Sequence, residues 1–316
     1  MFRRRKFPTY FWWIFIIISF WVIRNYSDFV WSTLFRGHLA FSNGSSSKAP
    51  TSPTAKASLP SCIVIGVRKG GTRALLDMIG LHSKVKVARN EVHFFDKEDN
   101  YAKGLEWYKS QLPAIEKDEI SVEKTPNYFV TTSVVPGRIL RMDKRVQLLL
   151  VVRDPVTRLI SDYTQILTNH QERGLTLKPF EEIALDSFGN VNKKYDAVEK
   201  SKYSVYMKKW LKFFPRNQIL VVNGDRLIRK PWQELRKVET FLGLEHEITQ
   251  EDFFFNATKG FHCINRNMKE RCLTSSKGRQ HPDVSQAVVS KLRQYYAPFN
   301  YEFYNLVGRD FGWPES

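Results

Sequence analysis

Beyond residue 60, the apolar positions fall into short β-branched runs that alternate with segments of helical spacing. Strands are predicted over Cys62–Val67, Val85–Ala88, Ile120–Glu123, Val146–Val152 and Gln218–Asn223. The 3.6-residue period predicts helices over Thr72–Leu81, Ser133–Met142, Pro155–His170, Val198–Phe214, Trp232–Leu242 and Val284–Tyr296. The run VQLLLVV at 146–152 is apolar apart from Gln147, as for a strand covered on both faces. Such alternation implies a single α/β domain with a central parallel β-sheet flanked by helices. Ligands of these sheets collect beyond the C-terminal strand ends, so the turns after the strands are where chemistry is expected.

The first 59 residues follow a different pattern. Arg3, Arg4, Arg5 and Lys6 precede a 17-residue apolar run, Phe7 to Ile23, rich in Trp and Ile. That length is about the minimum for a membrane span, and flanking cations stay on the cytoplasmic side. Residues 42–60 (SNGSSSKAPTSPTAKASLP) lack the large apolar groups needed to form a core. The expected organisation is a cytoplasmic tail (1–6), a signal-anchor transmembrane helix (7–23), a flexible lumenal stem (24–59) and a folded domain (60–316). A cleaved signal peptide is the alternative, but Arg24-Asn25-Tyr26 is a poor cleavage site. Sequons at Asn43 and Asn256 agree with a secretory compartment.

Charge narrows the partner. The net charge is +17; residues 1–59 hold eight Lys/Arg against Asp28 alone, a net +7, which leaves +10 on the remainder. A polyanion is the expected partner: nucleic acid, acidic polysaccharide or an anionic membrane face. Of the three cysteines, Cys263 and Cys272 flank eight mostly polar residues. In an oxidising lumen they would pair as a disulfide, with loop-closure entropy of about 2.5–3 kcal/mol. The alternative is a zinc site using His262, Cys263, Cys272 and His281, whose spacing fits no common pattern. Cys62, opening the first strand, reads as a buried thiol.

The strand from Ile63 turns through Arg68, Lys69, Gly70, Gly71, Thr72 and Arg73 into a helix. Glycines and a helix N-terminus present backbone N–H groups and a positive dipole end to an anion. Lys69 precedes the glycine pair, whereas a Walker loop places its Lys after the last glycine. A second anion site is expected where Val146–Val152 ends in Arg153, with Asp154 as N-cap, Pro155 at the first helical position and Ser161 further on. Two cationic strand ends in one sheet suit a ligand with phosphates at two places.

Taken together, VRKGGTR (67–73), NEVHFFD (90–96), EKTPNYF (123–129), VVRDPVTRLISDYTQ (151–165) and KGRQHP (277–282) resemble the heparan sulfate glucosamine 3-O-sulfotransferases, nearest the short members of that family. GDRLIR (224–229), KVETFLGL (237–244) and LVGRDFGW (306–313) extend the resemblance to the C-terminus. It implies a P-loop-like α/β fold, a Golgi-lumenal single-pass type II membrane protein and 3′-phosphoadenosine 5′-phosphosulfate (PAPS) as sulfuryl donor. The acceptor would be heparan sulfate rather than nucleic acid, and no metal would be required. Lys69, Gly70, Gly71, Thr72 and Arg73 would hold the 5′-phosphosulfate, with Lys69 countering charge on the leaving oxygen. Arg153 and Ser161 would bind the 3′-phosphate. Lys277, Gly278, Arg279, Gln280 and His281 would close over the donor. Glu91 would be the general base, because a sugar hydroxyl attacks well only as it loses its proton. His93 and Asp96 would position the acceptor or tune Glu91. Arg68, Lys124, Gln165, Lys269 and Arg271 would grip polysaccharide sulfates and carboxylates. The pattern departs at His262, where the family carries Tyr. Sulfation at another position or on another glycan, and non-catalytic heparan binding, are the rival readings.

Overall fold

A computed structural model describes residues 55–266, 269–274 and 278–316. The expected tail, anchor, stem and Asn43 sequon lie outside the described residues, apart from the stem's last five residues. The strands are β1 (Lys56–Ala57), β2 (Cys62–Gly66), β3 (Val85–Val87), β4 (Ala114–Ile115), β5 (Ile120–Lys124), β6 (Gln147–Val152), β7 (Ile219–Asn223), β8 (Phe253–Asn256), β9 (Phe261–Arg266) and β10 (Lys269–Arg271).

The central sheet has the order β3-β5-β2-β6-β7, and every pairing in it is parallel. Alternation along β6 explains why this strand is almost wholly apolar. Leu148, Leu150 and Val152 pack into one core, with Ile63, Ile65, Ile219 and Val221. Leu149 and Val151 pack into another, with Val64, Leu75, Leu235 and Val238. Both faces are therefore dry, as parallel sheets require. Helix Tyr203–Trp210 and the C-terminal half of helix Gln286–Val307 contribute Trp210 and Phe303 to the first core. Helices Thr72–Ile79 and Pro231–Leu242 cover the second.

Two expected elements differ. The helix expected over Val198–Phe214 is two helices, Asp196–Lys200 and Tyr203–Trp210. They break at Ser201, a buried hydroxyl that accepts from Arg158 Nε at 2.7 Å. The last helix runs to Val307, through Pro298, because Asn300, Phe303 and Val307 continue its buried stripe. A three-stranded antiparallel sheet, β10-β9-β8, and a two-stranded one, β1-β4, lie outside the central sheet and were not expected. Cys263 in β9 is bonded to Cys272 just after β10, with Cα atoms 4.6 Å apart. Both sulfurs are thereby consumed, which removes the zinc alternative. Cys62 is fully buried, and burial pushes its thiol far up from the usual range.

Candidate active site

Five strand ends of the sheet, those of β2, β3, β5, β6 and β7, converge on one region. The turn after β2 is built by backbone. Val67 N–H donates to Val151 O at 2.9 Å, and Gly70 N–H donates to Val67 O at 2.8 Å. A Cβ on Gly70 would lie 2.4 Å from Val151 O, so only glycine lets the turn rest against β6. Gly71 caps the Thr72–Ile79 helix at φ 107°, a conformation that glycine adopts without strain. The first amides of that helix have no intrahelical acceptor and face outward as donors. Lys69 sits at φ 69°, inside the turn that the Gly70 N–H bond to Val67 O closes. Arg153 follows β6, and its Nε donates to Asp225 Oδ1 at 2.9 Å. The other oxygen of Asp225 takes the Asp154 N–H at 3.1 Å, so one carboxylate aims the guanidinium and pins the strand end. Asp154 itself accepts the Val156 and Thr157 amides, an N-cap worth about 1 kcal/mol. Lys69, Gly71, Thr72, Arg73, Arg153, Ser161, Gly278, Arg279 and His281 line a single cavity of about 180 Å³. Burial, then the positive charges of Arg153 and Lys69, hold the His281 pKa below its usual value.

The second turn, after β3, is built by side chains. Lys124, the last residue of β5, makes an ion pair with Glu91. His93 Nε2 lies 3.6 Å from the other oxygen of Glu91, and its Nδ1 is 2.9 Å from Asp96. Asn127 donates to the same Asp96 oxygen at 2.7 Å. Asn100 donates to the carbonyls of Val92 and His93, both at 3.1 Å. The Tyr128 hydroxyl accepts the Phe94 amide at 2.9 Å. His93 and Lys69 are the non-glycine residues with left-handed φ among the described residues. At 51°, His93 is held in a sparsely populated conformation by these bonds. Glu91, Lys124, Arg73, Arg89 and Arg271 line a cleft of about 400 Å³. This cleft and the first cavity share Arg73, Ala74, Met78, His262 and Leu273 as a common wall. A cavity lined by Lys69, Arg153 and Arg279 thus adjoins a cleft lined by the Glu91 carboxylate and the cations Lys124, Arg89 and Arg271.

The sulfotransferase domain family matches residues 59–303. Heparan sulfate glucosamine 3-O-sulfotransferase 5 of Mus musculus is 48% identical over 258 residues, covering 81% of this chain and 74% of the relative. The 3B1 enzyme of the same species is 44% identical, covering 85% and 70%. A solved sulfotransferase from Alicyclobacillus acidocaldarius shares the fold with a TM-score of 0.59 at 16% identity, covering 80% of this chain and 98% of that one. This chain belongs to the heparan sulfate glucosamine 3-O-sulfotransferases. In this sulfotransferase most of the residues named from the sequence come together, but not all act as expected. Gly70 contributes space and no donor, since its N–H is already bonded. Asp96 was expected to position the acceptor or to tune Glu91; its side chain is 1% exposed and bonded to His93, which favours the second of these. Arg73 lines both spaces, with its guanidinium on Asp77 and the Arg89 carbonyl. Gln165 accepts from Arg279 at 2.7 Å, joining a residue assigned to the acceptor with one assigned to the donor. Arg68 Nε bonds Asp162, whose other oxygen takes buried Arg158. Gln280 is exposed and does not line the cavity that holds Lys69 and Arg153. Lys269 opens β10, and Lys277 lies outside the described residues. His262 stands in the shared wall, its Nδ1 3.1 Å from the Ile228 carbonyl. Asp225, Asn100, Thr125, Asn127 and Tyr128 were missed. Of these, only Asp225 had a signal, as a polar residue just past a strand end.

Proposed function

We propose that the protein transfers a sulfuryl group from PAPS to the 3-hydroxyl of a glucosamine in heparan sulfate, with Glu91 as general base. The observation that carries this reading is the shared wall: residues of both anion-binding turns line one cavity, and that cavity adjoins the cleft holding Glu91 and Lys124. PAPS, when bound, supplies an activated sulfuryl group on a phosphate leaving group. Lys69 and the amides of Thr72 and Arg73 counter charge on the departing oxygen; preorganised donors of this kind are worth about 3–4 kcal/mol of barrier. Arg153, aimed by Asp225, and Ser161 receive the 3′-phosphate. Glu91 takes the proton from the attacking hydroxyl as the O–S bond forms, and Lys124 and His93 hold Glu91 in place. Arg271, Arg68 and Arg73 meet the sulfates and carboxylates of the acceptor, where a planar guanidinium binds either group bidentately. No residue in this scheme is assigned to a metal.

The protein belongs in the Golgi lumen, tethered through residues 7–23, with glycans at Asn43 and Asn256. The charged n-region, apolar run and sequons support this. The deciding experiment is incubation with labelled PAPS and defined heparan sulfate oligosaccharides, followed by disaccharide mapping. Label on the glucosamine 3-position is the expected result. Label at another position, or PAPS-independent binding with no transfer, would overturn the reading.

A further inference from the structure

The catalytic turn rests on a buried carboxyl that the reaction scheme above does not use. Glu123 is the penultimate residue of β5, and its neighbour Lys124 points the opposite way, into the cleft. Glu123 is 0% exposed. Its Oε1 accepts the Thr125 hydroxyl and lies 3.5 Å from the Val92 amide. Thr125 Oγ1 in turn accepts the His93 amide at 3.3 Å. One carboxyl therefore reaches two successive amides of the turn, one directly and one through a hydroxyl. The ionisable groups around it are Asp96, Lys124, Tyr128 and, from helix Gly104–Ser110, Tyr108. Neither Glu123 Oε2 nor the Tyr108 hydroxyl makes a hydrogen bond of ordinary length.

A carboxyl with no exposure costs free energy unless it is paired, so a purely stabilising role would be better served by an apolar side chain. What it supplies is direction. His93 holds a left-handed backbone that no glycine relieves, and the Thr125 bond is one of the few that fix its amide. If that bond is lost, the turn relaxes and Glu91 moves off the line between acceptor hydroxyl and sulfur. We propose that Glu123, acting through Thr125, is a positioning residue that sets the orientation of Glu91 and His93 for sulfuryl transfer, without touching either substrate. This rests on the reading of Glu91 as the base.

The test is steady-state kinetics of the full chain with PAPS and a heparan sulfate oligosaccharide. Glu123→Leu should lower kcat by about tenfold or more with both KM values near wild type, the loss expected when a buried acceptor is deleted. Glu123→Gln keeps an oxygen at Oε1 and should restore kcat to within a few-fold. Thr125→Val should lose as much as Glu123→Leu, Thr125→Ser should retain activity, and the double variant should be no worse than either single one. Ser121→Ala, a buried unpartnered hydroxyl in the same strand, should leave kcat unchanged. Wild-type kcat in folded Glu123→Leu, or in Thr125→Val, overturns the proposal. So does full additivity of the two. Should Glu123→Leu not fold, the Val and Ser pair at position 125 decides alone. A wild-type protein that transfers nothing overturns the functional reading and this proposal together, whereas active variants beside an active wild type overturn only this one.

Discussion

The two turns that form the site are built by different means. Arg68–Arg73 is held by backbone: an amide on Val67, an amide on Val151 and a glycine against a strand. Asn90–Asp96 is held by side chains from two other stretches of the chain: Asn100 from one, and Glu123, Thr125, Asn127 and Tyr128 from the other. A backbone-built turn tolerates change in its neighbours and none in its glycines. A side-chain-built turn behaves the other way round, because its geometry belongs to residues outside it. On the proposed mechanism the rigid form suits the turn that receives the donor, whereas the turn that carries Glu91 has to be set against a particular hydroxyl.

Substitutions can break or sharpen this contrast. The largest effect is expected for Glu91→Gln, which should cut transfer by about 10²–10⁴-fold while the affinity for adenosine 3′,5′-bisphosphate, measured calorimetrically, stays unchanged. Near-normal turnover would remove Glu91 from the mechanism. Gly70→Ala should weaken donor binding and cost about 1–3 kcal/mol in thermal denaturation, since the new methyl meets Val151 O. Unaltered donor affinity would show that the turn yields more than its packing implies. Asp96→Asn removes a charged acceptor from His93 and should lower kcat about tenfold with donor binding intact. A matching loss of donor affinity would mean that the two turns are not independent.

Smaller effects appear with pH. Burial, opposed by hydrogen bonds from Thr125 and the Val92 amide, raises the Glu123 carboxyl to about 7, above the ordinary glutamate value near 4.3. The fold therefore favours its neutral form. The stability this provides is complete below about pH 4.3 and is lost as pH rises through about 7. Glu123→Gln should flatten that part of the melting-temperature profile, and an unchanged slope would count against the assignment. The smallest signal belongs to His281, whose pKa is lowered by burial and by the cations Arg153 and Lys69. An arriving phosphate reverses that field, so donor binding should take up a fraction of a proton near neutral pH. Calorimetry in buffers of different ionisation enthalpy reads this, and His281→Asn should abolish it.

The same contrast explains what the sequence disclosed. The five central strands were located within a residue at each end, because short apolar runs rich in Val, Ile and Leu, bounded by polar turns, leave little ambiguity. The Arg68–Arg73 turn could be read from physical rules, since glycines between a strand and a helix imply their geometry. Glu91 could not: an acid in a loop carries no local mark, and only the resemblance singled it out. Its supports lie 9 to 37 residues away, and nothing in their spacing announces a shared role. The antiparallel sheet β8 to β10 was missed because its strands show no steady alternation: β8 is Phe-Phe-Phe-Asn, β9 mixes apolar and polar residues, and β10 is three charged residues. The extent of the last helix was missed because Pro298 reads as a stop, while packing of Phe303 and Val307 outweighs one lost backbone bond.

The Cys263–Cys272 bond closes the hairpin that carries His262 and ends beside Leu273, the two residues by which that hairpin contributes to the wall shared by the cavity and the cleft. Material produced in a reducing cytosol would keep its parallel sheet but lack the clasp on this partition. On the proposed mechanism the loss would show in the KM for either substrate before it showed in the fold of the sheet.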